Sequence, residues 1–308
     1  NLTVEVYNNL RTDILLRRQT VSQVAGFRES PWQNFGTVSN KGFDASITAN
    51  HQIGDHSFGV RGNYTFARNK ILERDEVPQL YPYMNETGQS LNTPYIYQAD
   101  RLFTDDDFTI TTDGGGNKQY ALKPGTPSQQ YFGADANLRP GDVKYVDLNG
   151  DGIIDQFDRS RELSKPTSPE IVYGFGASYG YKGFSISVFF SGVANTQAIL
   201  GSDVPQGFFP FRFNVDETSV RTIARDRWTE ENPSQDVLFP RIRTGNNNNN
   251  ETGSTWWLRD MSFLRLKNVE LGYNLPQKIT NRIGMSNARL FLLGFNLYTW
   301  DKLKLWDP

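Results

Sequence analysis

The sequence predicts an all-β protein whose main element is one antiparallel sheet of about seven strands, forming part of a transmembrane β-barrel. Three observations carry this prediction. Several segments alternate apolar and polar residues, the connections between them alternate between long and short, and the polar strand face is small and mostly uncharged. The predicted strands cover, in chain order, about 2–10 (continuing toward 15), 36–51, 57–67, 168–181, 184–193, 258–273 and 288–300.

The second and third strands are predicted to form a hairpin. Strand 36–51 places Phe43 and Ile47 on one face and Asp44 on the other, and a tight turn leads into strand 57–67, which alternates in the same way. Such two-residue periodicity is typical of strands with one apolar and one polar face. The loop that precedes this hairpin contains a proline and Trp32.

A second hairpin joins strands 168–181 and 184–193 through a two-residue turn. Its alternation is broken only by Phe189, which falls among serines. Farther on, the alternation changes phase between Leu266 and Val269, which predicts a β-bulge or a shift in pairing. The last strand is apolar on both faces and cannot be oriented. Aromatic residues near strand ends suit an interfacial girdle, and the candidates are Tyr179, Tyr181, Tyr273, Tyr298 and Trp300.

Two connections are far longer than the others. They cover about 71–167 and 195–257, and the second contains the low-complexity tip 246–250, which its composition predicts to be mobile. Because strands in a meander alternate in direction, the long connections all lie at one end of the sheet and the short turns at the other. Membrane barrels have this arrangement, with the long loops extracellular.

The overall composition excludes several classes of protein. Lys and Arg number 32 against 34 Asp and Glu, and this near balance gives no reason to expect a nucleic-acid partner. Cysteine is absent, which excludes a disulfide scaffold. Apolar residues make up 37% and aromatic residues 13%, a profile typical of many short strands. The chain begins at Asn1 without an initiator methionine, so we expect a piece of a longer polypeptide.

Residues 141–159, GDVKYVDLNGDGIIDQFDR, are the one segment whose spacing specifies a chemistry. Counting from Asp147, oxygen-bearing side chains stand at positions 1, 3, 5, 9 and 12, and Gly152 stands at position 6. This is the spacing of a calcium loop, in which glycine permits the sharp turn and position 7 offers a backbone carbonyl. The predicted ligands are Asp147, Asn149, Asp151, Ile153 through its carbonyl, Asp155 and Asp158.

Two interpretations of this loop stay open. About six hard oxygen ligands favour calcium over magnesium, which demands a stricter octahedron. Asp158 stands where calcium sensors carry a glutamate, and no helical pattern flanks the loop, so a structural ion is expected rather than a switch. Ile154 is expected to point inward as an apolar anchor. The alternative is an acidic, solvated turn without a metal.

Six segments, taken in chain order, resemble the C-terminal barrel of SusC/RagA-type TonB-dependent outer-membrane transporters. They are NLTVEVYNNLRTDILL, GTVSNKGFDASI, GDVKYVDLNGDGIIDQFDR, YGFGASYGYKGFSISVFFSGV, FLRLKNVELGYNLP and FLLGFNLYTWDKLKLWDP. Only the loop interiors, about 72–138 and 196–255, fall outside the likeness. Several independent segments in one order make the resemblance more specific than any single motif.

The resemblance implies a fold and a function that periodicity alone does not show. Members of the family have a 22-strand barrel filled by an N-terminal plug. They import oligosaccharides or peptides with energy transmitted through TonB, beneath a SusD-like surface lipoprotein that acts as a lid. Residues 1–308 would then be a C-terminal portion of such a barrel in a Gram-negative outer membrane. Lipid would cover its apolar face.

The other candidate functional residues of the sequence also have ordinary structural explanations. Trp32, Trp228, Trp256 and Trp257 are candidates for contact with substrate or partner, although packing within the loops is the commoner role of a single tryptophan. An enzyme is not expected, because the only histidines, His51 and His56, flank a tight turn and no nucleophile has a recognisable base partner. The acidic run Asp105, Asp106 and Asp107 is interpreted as a solvated loop face.

One rival belongs to a different class of protein. A secreted, calcium-stabilised β-sandwich acting as an adhesin or carbohydrate-binding module would also explain the strands and the ion. In a sandwich, Phe58, Val60, Phe184 and Val188 would be buried between two layers. In a barrel wall the same residues would face lipid, and this difference separates the two predictions.

Overall fold

The computed structural model of the chain describes residues 1–21, 24, 26, 28–133, 137–201, 208–210, 220–245 and 247–307. The strands in this part of the chain are β1 (Leu2–Arg17), β2 (Trp32–Ile53), β3 (His56–Glu73), β4 (Ile96–Tyr97), β5 (Ala99–Leu102), β6 (Phe108–Thr112), β7 (Lys118–Leu122), β8 (Val143–Tyr145), β9 (Arg159–Ser160), β10 (Ile171–Tyr181), β11 (Phe184–Ala194), β12 (Gln197–Ile199), β13 (Leu258–Asp260), β14 (Phe263–Asn274) and β15 (Arg289–Asp301). Two short α-helices, α1 (Asn248–Glu251) and α2 (Gln277–Arg282), complete the regular elements together with single 3₁₀ turns.

Seven long strands form the main sheet, in the order β1-β2-β3-β10-β11-β14-β15. Every neighbouring pair is antiparallel, so the sheet is a meander. The predicted all-β class and the predicted antiparallel sheet are confirmed. The short connections β2–β3, β10–β11 and β14–β15 lie at one end of the sheet, which we call the turn end. The connections β3–β10 and β11–β14 lie at the opposite end, the loop end.

Some strand limits predicted from the pattern are wrong. The second strand begins at Trp32, which was expected in a loop, because its first residues pair with the extended end of β1. The third strand continues to Glu73, which lies opposite Thr37. The predicted strand 258–273 is divided: β13 leaves the main sheet and pairs with β12, and only β14 stays in it. The predicted bulge is confirmed, because the register of both pairings of β14 shifts between Leu266 and Asn268.

The main sheet is a single layer whose apolar face is left open. Phe58, Val60 and Phe184 are 46%, 50% and 62% exposed, and Val188 is only partly buried. A β-sandwich would bury these side chains between two sheets. The secreted sandwich is therefore wrong, and the open apolar face has the character of a barrel wall.

The polar face explains the aromatic residue that breaks the pattern of β11. Phe189 lies over Gly174 and Gly176 of the neighbouring strand, where a Cβ atom would come within 2.8–2.9 Å of its ring. The guanidinium of Arg61 sits 4.5 Å from the centroid of the same ring. Two glycines and one cation thus accommodate a phenylalanine on a face otherwise lined by small polar residues.

The backbone angles of the turn between β10 and β11 explain how two residues can connect these strands. Lys182 and Gly183 have φ angles of +45° and +89°, the left-handed values of a type I′ turn. Turns of this type match the right-handed twist of an antiparallel hairpin. At the C-terminal side of the sheet, the amide of Asn274 donates to the carbonyl of Gly183, so the end of β14 lies beside this turn.

Candidate functional site: the loop assembly and its acidic loop

The two long connections fold together at the loop end of the sheet. We call residues 74–170 the first long loop, residues 195–262 the second long loop, and their described parts together the loop assembly. Most of the buried apolar side chains of the chain lie here and not on the sheet. One cluster packs Ile96 of the first loop against Phe239 and Trp257 of the second, and another packs Tyr145 against Trp228. The loops therefore form one unit with its own apolar core.

The asparagine tip of the second long loop is buried, so the prediction that it is mobile is wrong for the described residues 247–250. Asn246 lies outside the described residues. Asn249 and Asn250 lie on α1, and both are almost fully buried. The amide nitrogen of Asn249 donates to the carbonyl of Val143 at 2.9 Å, and the amide oxygen of Asn250 accepts from the Val143 amide at 2.9 Å. Side-chain amides of one loop thus complete the backbone hydrogen bonding of the other.

Further polar contacts surround this tip. Gln129, which is fully buried, donates to the Val143 carbonyl and accepts from the amide of Tyr145. The Asn250 amide nitrogen donates to Asp142 at 2.8 Å, and the guanidinium of Arg241 pairs with the same carboxylate at 2.8 Å. Buried polar groups are costly unless they are satisfied, so this network fixes one arrangement of the two loops.

The acidic loop at 147–158 is built from side-chain turns. The carboxylate of Asp147 accepts from the amides of Gly150 at 2.6 Å and Gly152 at 2.7 Å. The carboxylate of Asp151 accepts from the Ile153 amide at 2.9 Å, and Asn149 accepts from the Asp151 amide at 3.1 Å. Gly152 has a φ of +84°, which confirms the sharp turn expected at position 6.

Asp158 closes the loop from its interior. Its carboxylate is fully buried and accepts from the amides of Leu148 at 2.7 Å and Asp155 at 2.8 Å, which joins position 12 to positions 2 and 9. Asp155 caps the 3₁₀ turn Gln156–Asp158 by accepting from the Phe157 amide. Burial raises the pKa of Asp158 more than these hydrogen bonds lower it.

The middle of the loop is anchored to the core of the assembly. Ile154 is fully buried beside Tyr97 and Tyr145, as expected from the sequence, whereas Ile153 is exposed. The Ile154 amide donates to the carbonyl of Ser128 at 2.7 Å, and the Ser128 amide donates to the Gly152 carbonyl. The acidic loop is thus held by backbone bonds to a distant part of the first long loop.

The exit of the loop is fixed by two arginines that contact one aromatic ring. The guanidinium carbons of Arg159 and Arg161 lie 4.2 Å and 4.9 Å from the ring centroid of Tyr95. Arg159 also donates to the Tyr95 carbonyl at 2.6 Å, and Arg161 donates to that of Thr93 at 3.0 Å. These contacts join residues 93–95, in the early part of the first long loop, to residues 159–161, directly after the last acidic position.

The oxygen donors of the acidic loop suit a hard cation, but their side chains do not point toward one common centre. Four carboxylates and one amide oxygen stand within twelve residues, and no Lys or Arg of the described residues forms an ion pair with the four carboxylates. In the same part of the chain, no three His, Cys, Asp or Glu side chains converge in a metal-binding cluster. Backbone amides occupy part of each oxygen's bonding capacity, and each carboxylate has about four acceptor positions. The calcium site stays a prediction.

The four candidate tryptophans differ in how deeply they are buried. Trp228 and Trp257 are buried and Trp256 is partly buried, so these three pack the loop assembly, with the ring of Trp228 lying directly against Gly141. Trp32 is exposed at the loop end of the sheet, where the guanidinium of Arg17 lies 5.1 Å from its ring centroid.

The interpretation of residues 105–107 as a solvated face is wrong for Asp107. Its carboxylate is buried and pairs with Arg101 at 2.7 Å and with Lys144 at 2.9 Å, while Asp105 and Asp106 are exposed. Burial alone would raise the pKa of Asp107, but the hydrogen bonds from Arg101, Thr104 and Lys144 together lower it well below its usual range. Charge pattern alone did not distinguish the three residues, because the side of a 3₁₀ turn that faces the core depends on the loops packed around it.

Comparisons with known proteins agree with this architecture. No family model matches the chain. A TonB-dependent receptor of Formosa agariphila is 30% identical over 307 residues, which cover 98% of this chain and 28% of the receptor. The TonB-dependent receptor SusC of Bacteroides thetaiotaomicron is 23% identical over 97% of this chain. The chain therefore spans a little more than a quarter of the length of these relatives.

Solved structures show the same fold. The RagAB peptide transporter matches with a TM-score of 0.64 at 23% identity, over 98% of this chain and 30% of that one. The open-open state of the RagAB peptide importer gives the same TM-score at 20% identity. The likeness covers the single-layer meander and the long loops alike, since 98% of the chain is matched. The predicted resemblance to SusC/RagA-type TonB-dependent receptors is confirmed. These relatives are named as receptors and transporters, in agreement with the expectation from the sequence that the chain belongs to no enzyme class.

Proposed function

We propose that this chain is part of the wall and outer surface of an active importer of large nutrients. One observation carries the proposal: a single-layer sheet with an open apolar face and a packed loop assembly at one end matches TonB-dependent receptors over 98% of the chain. In this proposal the loop end is extracellular and contacts the substrate, an oligosaccharide or a peptide. A SusD-like lipoprotein covers the loop assembly, and TonB supplies the energy through a part of the protein outside this chain.

Uptake measurements in the native host test the proposal. A strain lacking the gene should fail to accumulate one member of a panel of labelled oligosaccharides and peptides, and complementation should restore uptake. A protonophore or deletion of TonB should abolish uptake without changing the amount of protein in the outer membrane. Uptake that persists without TonB would contradict active import.

The lipoprotein partner is tested separately by affinity purification of the tagged full-length protein from detergent-solubilised outer membranes. A surface lipoprotein should be recovered with the wild-type protein, and replacement of residues 74–170 by a short Gly-Ser linker should abolish its recovery. Recovery that does not depend on the loop assembly would place the partner elsewhere.

We also propose that the acidic loop binds one calcium ion that holds the first long loop in a fixed shape. The ligands would be Asp147, Asn149, Asp151, the carbonyl of Ile153, Asp155 and Asp158. The support is the donor chemistry, the buried carboxylate of Asp158, and the position of the loop between two anchors, Ile154 inside the core and the stacked arginines at the exit. Bound calcium would neutralise the negative charge of the four carboxylates, which at present accept hydrogen bonds mainly from backbone amides.

Metal content and protease sensitivity of the full-length protein test the ion. We expect about one calcium per chain, and chelation should increase cleavage within residues 74–170. The double variant D147N/D151N should lose the metal and cleave like the chelated wild type. The matched control is D113N, because Asp113 forms the same kind of side-chain turn with Gly115 and Asn117 without other acids in its loop. Equal calcium content in the wild type and D147N/D151N would refute the site.

A further inference from the structure

The apolar face of the sheet carries a groove at the turn end. Its volume is about 630 Å³, and β10, β11, β14 and β15 contribute its walls. The rings of Phe184 and Tyr273 stack at 4.2 Å in the row next to the turns. The main lining side chains are Tyr179, Tyr181, Phe184, Tyr273, Leu290 and Leu292. Tyr181 and Leu290 stand in the row next to the turns, and Tyr179 and Leu292 stand in the next row, so tyrosine hydroxyls are set among walls that are otherwise apolar.

The helix that connects β14 to β15 lies at the same end and has an unusual surface. Ile279 and Ile283 are 47% and 57% exposed, and Met285 just beyond them is exposed as well. Thr280 is the buried residue of α2, and its hydroxyl donates to the carbonyl of Gln277. Because the helix buries a threonine and exposes two isoleucines one turn apart, its apolar side faces away from the protein.

Basic residues stand beside these exposed isoleucines. Lys278 and Arg282 are exposed one turn apart on α2, and within the described residues neither forms an ion pair or a side-chain hydrogen bond. Lys182 in the neighbouring turn is mostly exposed and lies 3.8 Å from Asp55, which is also mostly exposed. The hydrogen bond from Asn274 to Gly183 places the start of the α2 connection next to that turn. Exposed apolar residues interleaved with lysine and arginine are typical of a helix that lies in a lipid headgroup layer.

We propose that the turn end holds an anionic phospholipid. Its acyl chains would fill the groove between the rows of Tyr181 and Leu292, and its phosphate would lie among Lys278, Arg282 and Lys182. Ile279 and Ile283 would enter the acyl region beside it. The charge of the three basic side chains selects an anionic headgroup over a zwitterionic one, because each juxtamembrane Lys or Arg favours anionic lipid about fivefold. The site is separate from the loop assembly and from the acidic loop.

Lipid retention by the full-length protein tests the proposal. The protein is purified in detergent, exposed to equimolar phosphatidylglycerol and phosphatidylcholine of the same chain length, and examined by native mass spectrometry. We expect preferential retention of phosphatidylglycerol. The variant K278Q/R282Q should retain about 25-fold less phosphatidylglycerol, since it loses two of the three charges, with phosphatidylcholine unchanged. The variant I279S/I283S should retain less of both lipids.

The control is K118Q/K123Q, which removes the same charge from exposed lysines at the loop end of the molecule. Circular dichroism and gel mobility verify that each variant is folded, which is expected because every changed side chain is exposed. Equal retention of the two lipids by the wild type would overturn the proposal. An equal loss in K118Q/K123Q would also overturn it, because the effect would then reflect net charge and not this site.

Discussion

The sheet and the loop assembly follow opposite rules of burial within one chain. Trp257 in the loop assembly is 1% exposed, whereas Val6 on the apolar face of β1 is 82% exposed. A water-soluble domain buries its apolar side chains, and the loop assembly does so with three clusters of its own. The sheet satisfies its backbone through strand pairing and leaves its apolar side chains exposed, as the wall of a membrane barrel does. The difference shows that the long loops are a folded unit carried by a sheet whose apolar face is open.

The largest expected effect follows from removing a core side chain of the loop assembly. Trp257→Ala deletes a ring that packs against Phe209 and Phe239 and the donor to the Asn250 carbonyl. We expect a loss of about 3–5 kcal/mol in the local stability of the assembly. Hydrogen exchange of the full-length protein in detergent micelles should show lost protection in residues 74–170 and 195–262. The control Val6→Ala should change protection by less than about 0.5 kcal/mol, and equal effects would contradict the comparison.

The second largest effect is expected at the asparagine tip, where a buried and an exposed asparagine can be compared. Asn250→Ala leaves the buried Val143 amide without its acceptor and removes one donor to the Asp142 carboxylate, which still pairs with Arg241. We expect a loss of about 1–3 kcal/mol. Asn248→Ala, in the same helix, changes an exposed side chain and should leave stability within about 0.5 kcal/mol. Hydrogen exchange around residue 143 measures both. A similar loss in the two variants would mean that the buried amide of Asn250 is not responsible.

Acid should affect the loop assembly before the sheet. The folded pKa of Asp107 is lowered, so its ion pairs contribute stability above its unfolded pKa of about 3.9 and lose it as pH falls below that value. We expect protease sensitivity of the loop assembly to rise as pH drops from about 5 toward 3. Asp107→Asn should be less stable than the wild type at neutral pH and show a weaker acid dependence. An unchanged acid profile in this variant would assign the effect to other groups.

The smallest effect is expected on the polar face of the sheet. Arg61→Gln removes the cation over the Phe189 ring, an exposed interaction that contributes about 0.5–1 kcal/mol. Thermal unfolding of the purified protein should shift by a few degrees at most. Arg61→Lys keeps the charge and should recover part of that shift. A large destabilisation by Arg61→Gln would show that this face is packed against another part of the protein.

Local pattern predicted the sheet well because its strands depend on neighbours of the same kind. The alternation around Phe43 and Phe184, the bulge near Leu266 and the turn at 182–183 all carry local signals. The strand limits at Trp32 and Glu73 depend on how far the partner strand extends, which has no local signal. The resemblance supplied the architecture that periodicity left open.

The loop assembly was predicted poorly because long-range contacts determine it. The asparagine run has the composition of a mobile tip, yet its amides bond to residues about a hundred positions earlier. Asp107 has the same charge as its two exposed neighbours, and only Lys144 and Arg101 distinguish it. The turn within residues 147–158 was predicted because spacing alone encodes a tight loop: Gly152 makes the sharp turn and Ile154 points inward, as expected.

The buried asparagine tip also determines how the loop assembly can be re-engineered. The side chains of Asn249 and Asn250 hydrogen-bond to the backbone of Val143 in the first long loop. Replacing either long loop alone would therefore leave buried polar atoms of the other loop without partners. A chimera that exchanges both long loops together keeps these hydrogen bonds between the two loops. Exchanges between related proteins should therefore transfer both long loops together.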